Sequence, residues 1–250
     1  MTIKAIIFDI GGVCVGSPMA GIHRFEKEKG FPRNYLNVAI VKQGDQGAFQ
    51  KFERGEIQFD EFCKLFGDQL SHPSNKVNYK EYLKRTGKDV PKVIPDVIVN
   101  GKELFKVMIG ESNRVDKDVL RVIENLRASK KFTIAALTNS YELPKNNPKE
   151  MEEMGMGVVA GLRHLFDYFI ESQVAGMRKP DPNFFIYACD LIGIKPEEAI
   201  FLDDIGVNIE AAKNLGITTI QVKMGHSYNA IKELESLTGL DLHSTIESKL

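Results

Sequence analysis

Ala5-Ile6-Ile7-Phe8-Asp9-Ile10-Gly11-Gly12-Val13 is the stretch on which the fold turns. The apolar run from Ala5 to Phe8 reads as a strand buried on both faces, as in a parallel sheet covered by helices. It delivers one carboxylate, Asp9, and two glycines follow almost at once. Ligands of open α/β sheets bind just beyond the carboxyl ends of the strands. Asp9 therefore stands where a reactive group belongs, and the glycines let the backbone approach a ligand closely. Asp and Gly are also ordinary turn formers, so the stretch alone leaves both readings open. The rest of the chain decides between them.

Beyond residue 110 apolar strands alternate with amphipathic segments. Phe132 to Leu137 is a strand ending at Thr138-Asn139-Ser140; Tyr168-Phe169-Ile170 is a shorter one. Ala199 to Leu202 closes on Asp203-Asp204, and Ile217 to Val222 is a further strand. Val119, Val122, Ile123 and Leu126 recur at helical spacing, with Arg127 to Lys131 supplying cations near the helix C-terminus. Pro182 to Ile192 and Ile209 to Leu215 read as helices, the latter stopped by Gly216. Glu142 to Glu153 holds Pro144, Asn146, Asn147 and Pro148 and reads as a loop. The last 20 or so residues read as a helical tail without chemistry of its own. Strand–helix–strand repetition implies an α/β fold, a doubly wound parallel sheet with helices on both faces.

From Gly16 to Gly110 no run matches the buried strands. Phe59, Phe62, Cys63, Phe66 and Leu70 mark one apolar helix face, and Asp60 and Glu61 suit the positive end of its dipole. Phe49 and Phe52 belong to an earlier short helix ended by Gly55, while the lysine-rich part from Ser71 to Val99 suggests loops and an exposed helix. The aromatic stripe is read as packing rather than a substrate slot. The division expected is a Rossmann-like core of residues 1–15 and 111–250, with a helical cap of roughly 90 residues, 16–110, inserted after the first strand.

A net charge of −1 gives no pull toward nucleic acid. No run approaches the roughly 18 apolar residues of a membrane span, and the N-terminus lacks a signal-peptide layout. Cys14, Cys63 and Cys189 form no CxxC pair, which supports neither a disulfide framework nor a zinc site. The five histidines are equally scattered. A soluble, cytoplasmic chain is expected. Its oligomeric state is not legible.

Asp9, Thr138-Asn139 and Asp203-Asp204 each close a strand, and Lys179 lies just before a helix. In a parallel sheet these ends converge. A carboxylate can attack phosphorus and split hydrolysis into two easier steps. Two anions need a cation between them, and Mg²⁺ suits one or two carboxylates plus phosphate. Lys179 would neutralise the phosphoryl group, with the Thr138 hydroxyl and nearby backbone N–H groups holding its oxygens. Taken singly, each has a bland reading as a cap or a surface group.

Phe8-Asp9-x-Gly-Gly-Val13, Leu137-Thr138-Asn139, Arg178-Lys179-Pro180 and Phe201-Leu202-Asp203-Asp204-x-x-x-Asn208 resemble the four motifs of the haloacid dehalogenase-like hydrolase superfamily. Within it the chain most resembles the N-terminal phosphatase domain of soluble epoxide hydrolases, through Ile170-Glu171-Ser172, Phe201 to Gly206 and Leu234 to Leu240. No epoxide hydrolase catalytic domain is expected in a chain of this length. The resemblance implies a helical cap and Asp9 as nucleophile. It also implies Mg²⁺ held by Asp9, the Gly11 carbonyl and Asp204, with Asp203 and Asn208 in support. Gly12, Thr138, Asn139 and Lys179 would surround the phosphate of a small phosphorylated metabolite. One departure stands out. Most phosphatases of this kind carry a second Asp two residues after the nucleophile, as general acid and base; here that position is Gly11. The resemblance therefore implies a slow phosphatase or one limited to good leaving groups, or else a non-catalytic phospho-ligand-binding protein. A halide-releasing dehalogenase is disfavoured, because Asp203 and Asp204 without a metal would repel an anionic substrate.

Overall fold

A computed structural model describes residues 2–144, 149, 152, 154, 156–223 and 225–243. Strand β1 (Ala5–Phe8) is buried at every position. Ile6 and Phe8 face one layer of helices and Ile7 the other, so an unbroken apolar run serves both faces. Helices α1 (Pro18–Lys29), α2 (Tyr35–Lys42), α3 (Ala48–Glu53), α4 (Phe59–Ser71), α5 (Asn75–Arg85) and α6 (Gly101–Ile109) follow. The chain then runs through α7 (Lys117–Ser129), β2 (Thr133–Thr138), α8 (Met156–Leu162), β3 (Tyr168–Glu171) and the single turn α9 (Ser172–Ala175). It ends with α10 (Pro182–Ile192), β4 (Ala199–Asp203), α11 (Gly206–Asn214), β5 (Thr218–Gln221) and α12 (Ser227–Thr238).

The five strands are parallel, in the order β3-β2-β1-β4-β5. The chain winds outward from β1 through β2 to β3, then returns to β4 on the other side. The order reverses between β1 and β4, and ligands of such sheets bind at that switch point. Phe8 pairs with both Ala136 and Leu202, so Asp9 and Asp203 stand side by side at the carboxyl edge. α7 and α12 cover the face of Ile6 and Phe8, while α10 and α11 cover the other.

Residues 17–109 form helices and no strand. Phe52 and Phe62 stack at 4.3 Å and Phe62 and Phe66 at 5.0 Å, so the aromatic stripe is core packing. Tyr141, just beyond β2, stacks on Phe52 at 5.6 Å and joins the same cluster. The stretches entering and leaving this block run antiparallel: Gly16 donates its N–H to the Arg114 carbonyl at 2.8 Å, and Asp116 to the Cys14 carbonyl at 2.9 Å.

The exposed helix expected between Ser71 and Val99 is α5, which exposes Val77, Lys80, Glu81, Lys84 and Arg85 and anchors itself by Tyr79 and Leu83. Two local expectations change. α11 starts at Gly206, not Ile209, because the turn before it is held from within, Asp203 Oδ1 accepting the Ile205 N–H at 2.7 Å. Of the expected helical tail, residues 244–250 lie outside the described residues; the last helix among the described residues ends at Thr238 and packs Ala230, Ile231 and Leu234 against the core. The loop expected over Glu142–Glu153 lies largely outside the described residues. No helix among the described residues is long and apolar enough to cross a membrane.

Candidate active site

Lys179 is the centre of the carboxyl edge. Its side chain is 1% exposed, and its Nζ lies 2.9 Å from Asp9 Oδ2 and 2.7 Å from Asp203 Oδ2. A buried ammonium needs such partners. Burial works against its charge, but Asp203 and Asp9 outweigh that and hold its pKa above the ordinary lysine value. Its backbone is clamped as well. Asn139 accepts the Lys179 N–H on Oδ1 at 2.8 Å and donates from Nδ2 to the Lys179 carbonyl at 3.1 Å. Asn139, one residue past β2, thus ties two motifs together.

Asp9 follows β1 and is buried; its Oδ1 accepts the Ile10 N–H at 2.7 Å. Burial first, then the charges of Asp203 and Asp204, push its pKa up to about 8 against the pull of Lys179. Asp203 is fully buried and spent within the protein: Asn208 Nδ2 donates to both its oxygens at 3.1 and 3.0 Å, beside the bonds from Ile205 and Lys179. Asp204 accepts from Ser17 Oγ at 2.9 Å on Oδ2. Burial, then Asp203, raises its pKa to about 6. Thr138 is buried at the end of β2, and its hydroxyl donates a long 3.4 Å bond to the Asn139 carbonyl.

Carboxylate oxygens of Asp9, Asp203 and Asp204 lie within 4.8 Å of one another. One ammonium cannot balance three ionised carboxylates, so burial drives Asp9 and Asp204 to hold protons unless a cation takes their place. That donor set fits a hard divalent cation bound by oxygen. Asp203 accepts four bonds within the protein and Asp9 two, so Asp9 and Asp204 are the carboxylates better placed to hold it. Gly12 makes room for Asp204. Its φ is +83°, and a Cβ there would meet Asp204 Oδ2 at 2.2 Å. Gly11 is different: a Cβ there would touch only Pro18, at 3.4 Å and beyond.

The structure brings Asp9, Thr138, Asn139, Lys179, Asp203, Asp204 and Asn208 to one edge, with Gly11 and Gly12 in the loop after β1. Ser17 carries no local sequence signal of this role, because its partner lies 187 residues away. Cys14 is a packed thiol donating to the Asp9 carbonyl at 3.3 Å, and burial, then the Asp9 charge, raises its pKa.

Residues 3–216 match the model of a hydrolase family described as haloacid dehalogenase-like hydrolase. Among curated proteins the chain is 33% identical over 241 residues to acyl-CoA dehydrogenase family member 10 of Mus musculus, 96% of this chain and 20% of that protein. It is 28% identical to bifunctional epoxide hydrolase 2 of Sus scrofa, covering 98% of this chain and 40% of that protein. The chain thus spans less than half of either. D-ribitol-5-phosphate phosphatase of Bacteroides thetaiotaomicron is 27% identical, with 89% of this chain and 93% of that protein covered. Among solved structures, a Bacteroides thetaiotaomicron enzyme in complex with magnesium and inorganic phosphate superposes with a TM-score of 0.55 at 19% identity, covering 92% of this chain and 98% of that one.

Proposed function

Starting from a chain that belongs to the haloacid dehalogenase-like hydrolases, we propose that it is a Mg²⁺-dependent phosphatase of a small phosphorylated metabolite, working through an aspartyl-phosphate on Asp9. The observation that carries this is the buried Lys179 bridging Asp9 and Asp203 beside Asp204. Such a cluster is built for an anion that brings its own oxygens to a cation. Relatives named as phosphatases of D-ribitol 5-phosphate and of glyceraldehyde 3-phosphate support the substrate class. The magnesium and phosphate in the Bacteroides enzyme support the cofactor.

In this reading Asp9 attacks phosphorus in line, the alkoxide leaves, and water then cleaves the acyl phosphate. Lys179 and the Thr138 hydroxyl stabilise charge on the phosphoryl oxygens, while Asn139 keeps the Lys179 backbone in place. Gly12 lets the phosphate approach the loop. Asp9, Asp204 and the Gly11 carbonyl would hold the Mg²⁺, which neutralises charge on nucleophile and phosphoryl group. Asp203 and Asn208 keep Lys179 and the β4 turn in register. Residues 16–110 act as a cap over residues 1–15 and 111–250, and a cytoplasmic location belongs to the same proposal. Turnover of p-nitrophenyl phosphate and of small sugar and polyol phosphates should vanish with a chelator and with Asp9→Asn. Activity surviving both would refute the proposal.

Gly11 favours a second reading, a protein that binds a phosphorylated ligand without turning it over. Mg²⁺-dependent binding of inorganic phosphate, with no hydrolysis even of activated aryl phosphates, would select it.

A further inference from the structure

Glu53 carries its charge against local preference. It is the last residue of α3, where the helix dipole disfavours an acid. It is 5% exposed, and burial pushes its pKa up while Arg178 pulls it down. A buried carboxylate without a partner is costly. The partner is 125 residues away, Arg178 Nε at 2.6 Å from Oε2. The main chain at Glu53 is held too, since Ser172 Oγ donates to its carbonyl at 2.5 Å. That same hydroxyl accepts the Ser140 N–H at 2.8 Å. Two residues on, Gly55 (φ +71°) lies so close to the sheet side that a Cβ would meet the Gln173 carbonyl at 2.9 Å.

The anchors Arg178 and Ser140 each adjoin residues of the candidate active site. Arg178 precedes Lys179, and Ser140 follows Thr138 and Asn139. Asn139 grips both main-chain groups of Lys179. The contacts therefore close into a ring: Glu53 carboxylate, Arg178, Lys179, Asn139, Ser140, Ser172 and back to the Glu53 carbonyl. Glu53 is its member from the helical block.

We propose that Glu53 is a positioning residue. By pairing with Arg178 and accepting from Ser172 it closes the ring, and the closed ring sets Lys179 and the Thr138–Asn139 turn to hold a phosphoryl group. The docking of α3 on the sheet thereby governs phosphate affinity without Glu53 touching phosphate. This rests on the phosphatase reading of the site.

The test uses the full chain with Mg²⁺, comparing Glu53→Gln, Glu53→Asp, Arg178→Met and the Glu53→Gln/Arg178→Met double variant. Inorganic phosphate is titrated calorimetrically, and kcat and KM are measured with p-nitrophenyl phosphate. A charge-assisted bond of ordinary strength predicts phosphate binding about tenfold weaker in Glu53→Gln and in Arg178→Met. The double variant should be no worse than either single one, as for two residues acting as a unit. Glu53→Asp should recover part of the loss. A merely structural latch would lower melting temperature and leave phosphate affinity of the folded protein unchanged, which overturns the proposal. Losses that multiply in the double variant overturn it too.

Should Glu53→Gln not fold, Ser172→Ala removes the other anchor and should weaken phosphate binding in the same direction; unchanged affinity overturns the proposal. Amide exchange over residues 138–140 and 172–179 gives a readout independent of catalysis: faster exchange in Glu53→Gln is expected, and unchanged rates count against the ring. Wild-type protein that binds phosphate but hydrolyses nothing would sink the phosphatase reading and leave the ring to be judged on affinity and exchange.

Discussion

Gly11 is the position where this site departs from the chemistry proposed for it. A side chain there is not excluded by space, since the nearest atom to an added Cβ is Pro18 Cδ at 3.4 Å and the backbone is not left-handed. Gly11→Asp should therefore fold and supply the missing proton donor. General acid–base help is typically worth about 10²–10⁴ in rate, so the variant should gain at least tenfold on alkyl phosphates and less on p-nitrophenyl phosphate, whose leaving group needs no proton. Equal gains on both would place the limitation elsewhere. Asp9 and Asp204 add a pH dependence. Their folded-state pKa values, about 8 and about 6, lie above the ordinary carboxylate value of about 4. Without a divalent cation the folded chain then holds protons that the unfolded chain has released, and stability falls as pH rises through that window. A cation binding the same oxygens displaces those protons, so stabilisation by Mg²⁺ should grow with pH. Melting temperatures with and without Mg²⁺ at pH 6 and pH 8 check this; a shift no larger at pH 8 would count against Asp9 and Asp204 as its ligands.

Strands and their closing residues were legible because the signal is local. A buried parallel strand is an apolar run, and the residue after it sits on the binding edge whatever follows. β1, β2 and β4 thus delivered Asp9, Thr138 and Asp203–Asp204 from pattern alone. The helical block was harder. α4 announced itself through Phe59, Phe62, Phe66 and Leu70, yet α1 and α2 carry weaker stripes. The burial of α5 depends on Tyr79 meeting Tyr35, at 5.3 Å, across the chain. Because α4 is packed rather than lining a slot, truncating its central ring should act on stability first. Phe62 is fully buried against Phe52, Phe66 and Phe105, and Phe62→Ala should cost about 3–5 kcal/mol. Urea unfolding measures it. A cost below 1 kcal/mol alongside a large rise in KM would restore the substrate-slot reading.

The contacts of Ser17, Glu53 and Ser172 were not legible for a reason that belongs to topology. Each does its work across the junction between the helical block and the sheet, with partners 187, 125 and 119 residues away, and no sequence window spans such distances. The chain crosses this junction on two segments, residues 14–16 and 114–116, which run antiparallel. A Cβ on Gly16 would lie 2.5 Å from the Glu111 carbonyl oxygen, an atom of the backbone that cannot rotate aside. Glu111 is itself buried and held by Arg24 of α1 and Arg114. Gly16→Ala must therefore move one chain crossing relative to the other, and overpacking of this kind costs roughly 1–3 kcal/mol. The movement would also shift Ser17, the next residue, off Asp204. Gly16→Ala should lower the urea midpoint and weaken Mg²⁺ binding together; Ser17→Ala, which removes both the bond to Asp204 and the N-cap of α1 where Ser17 Oγ accepts the Met19 N–H, should weaken Mg²⁺ binding and cost about 1 kcal/mol of stability. If Gly16→Ala loses stability but binds Mg²⁺ as the wild type does, the junction supports the fold without setting the site.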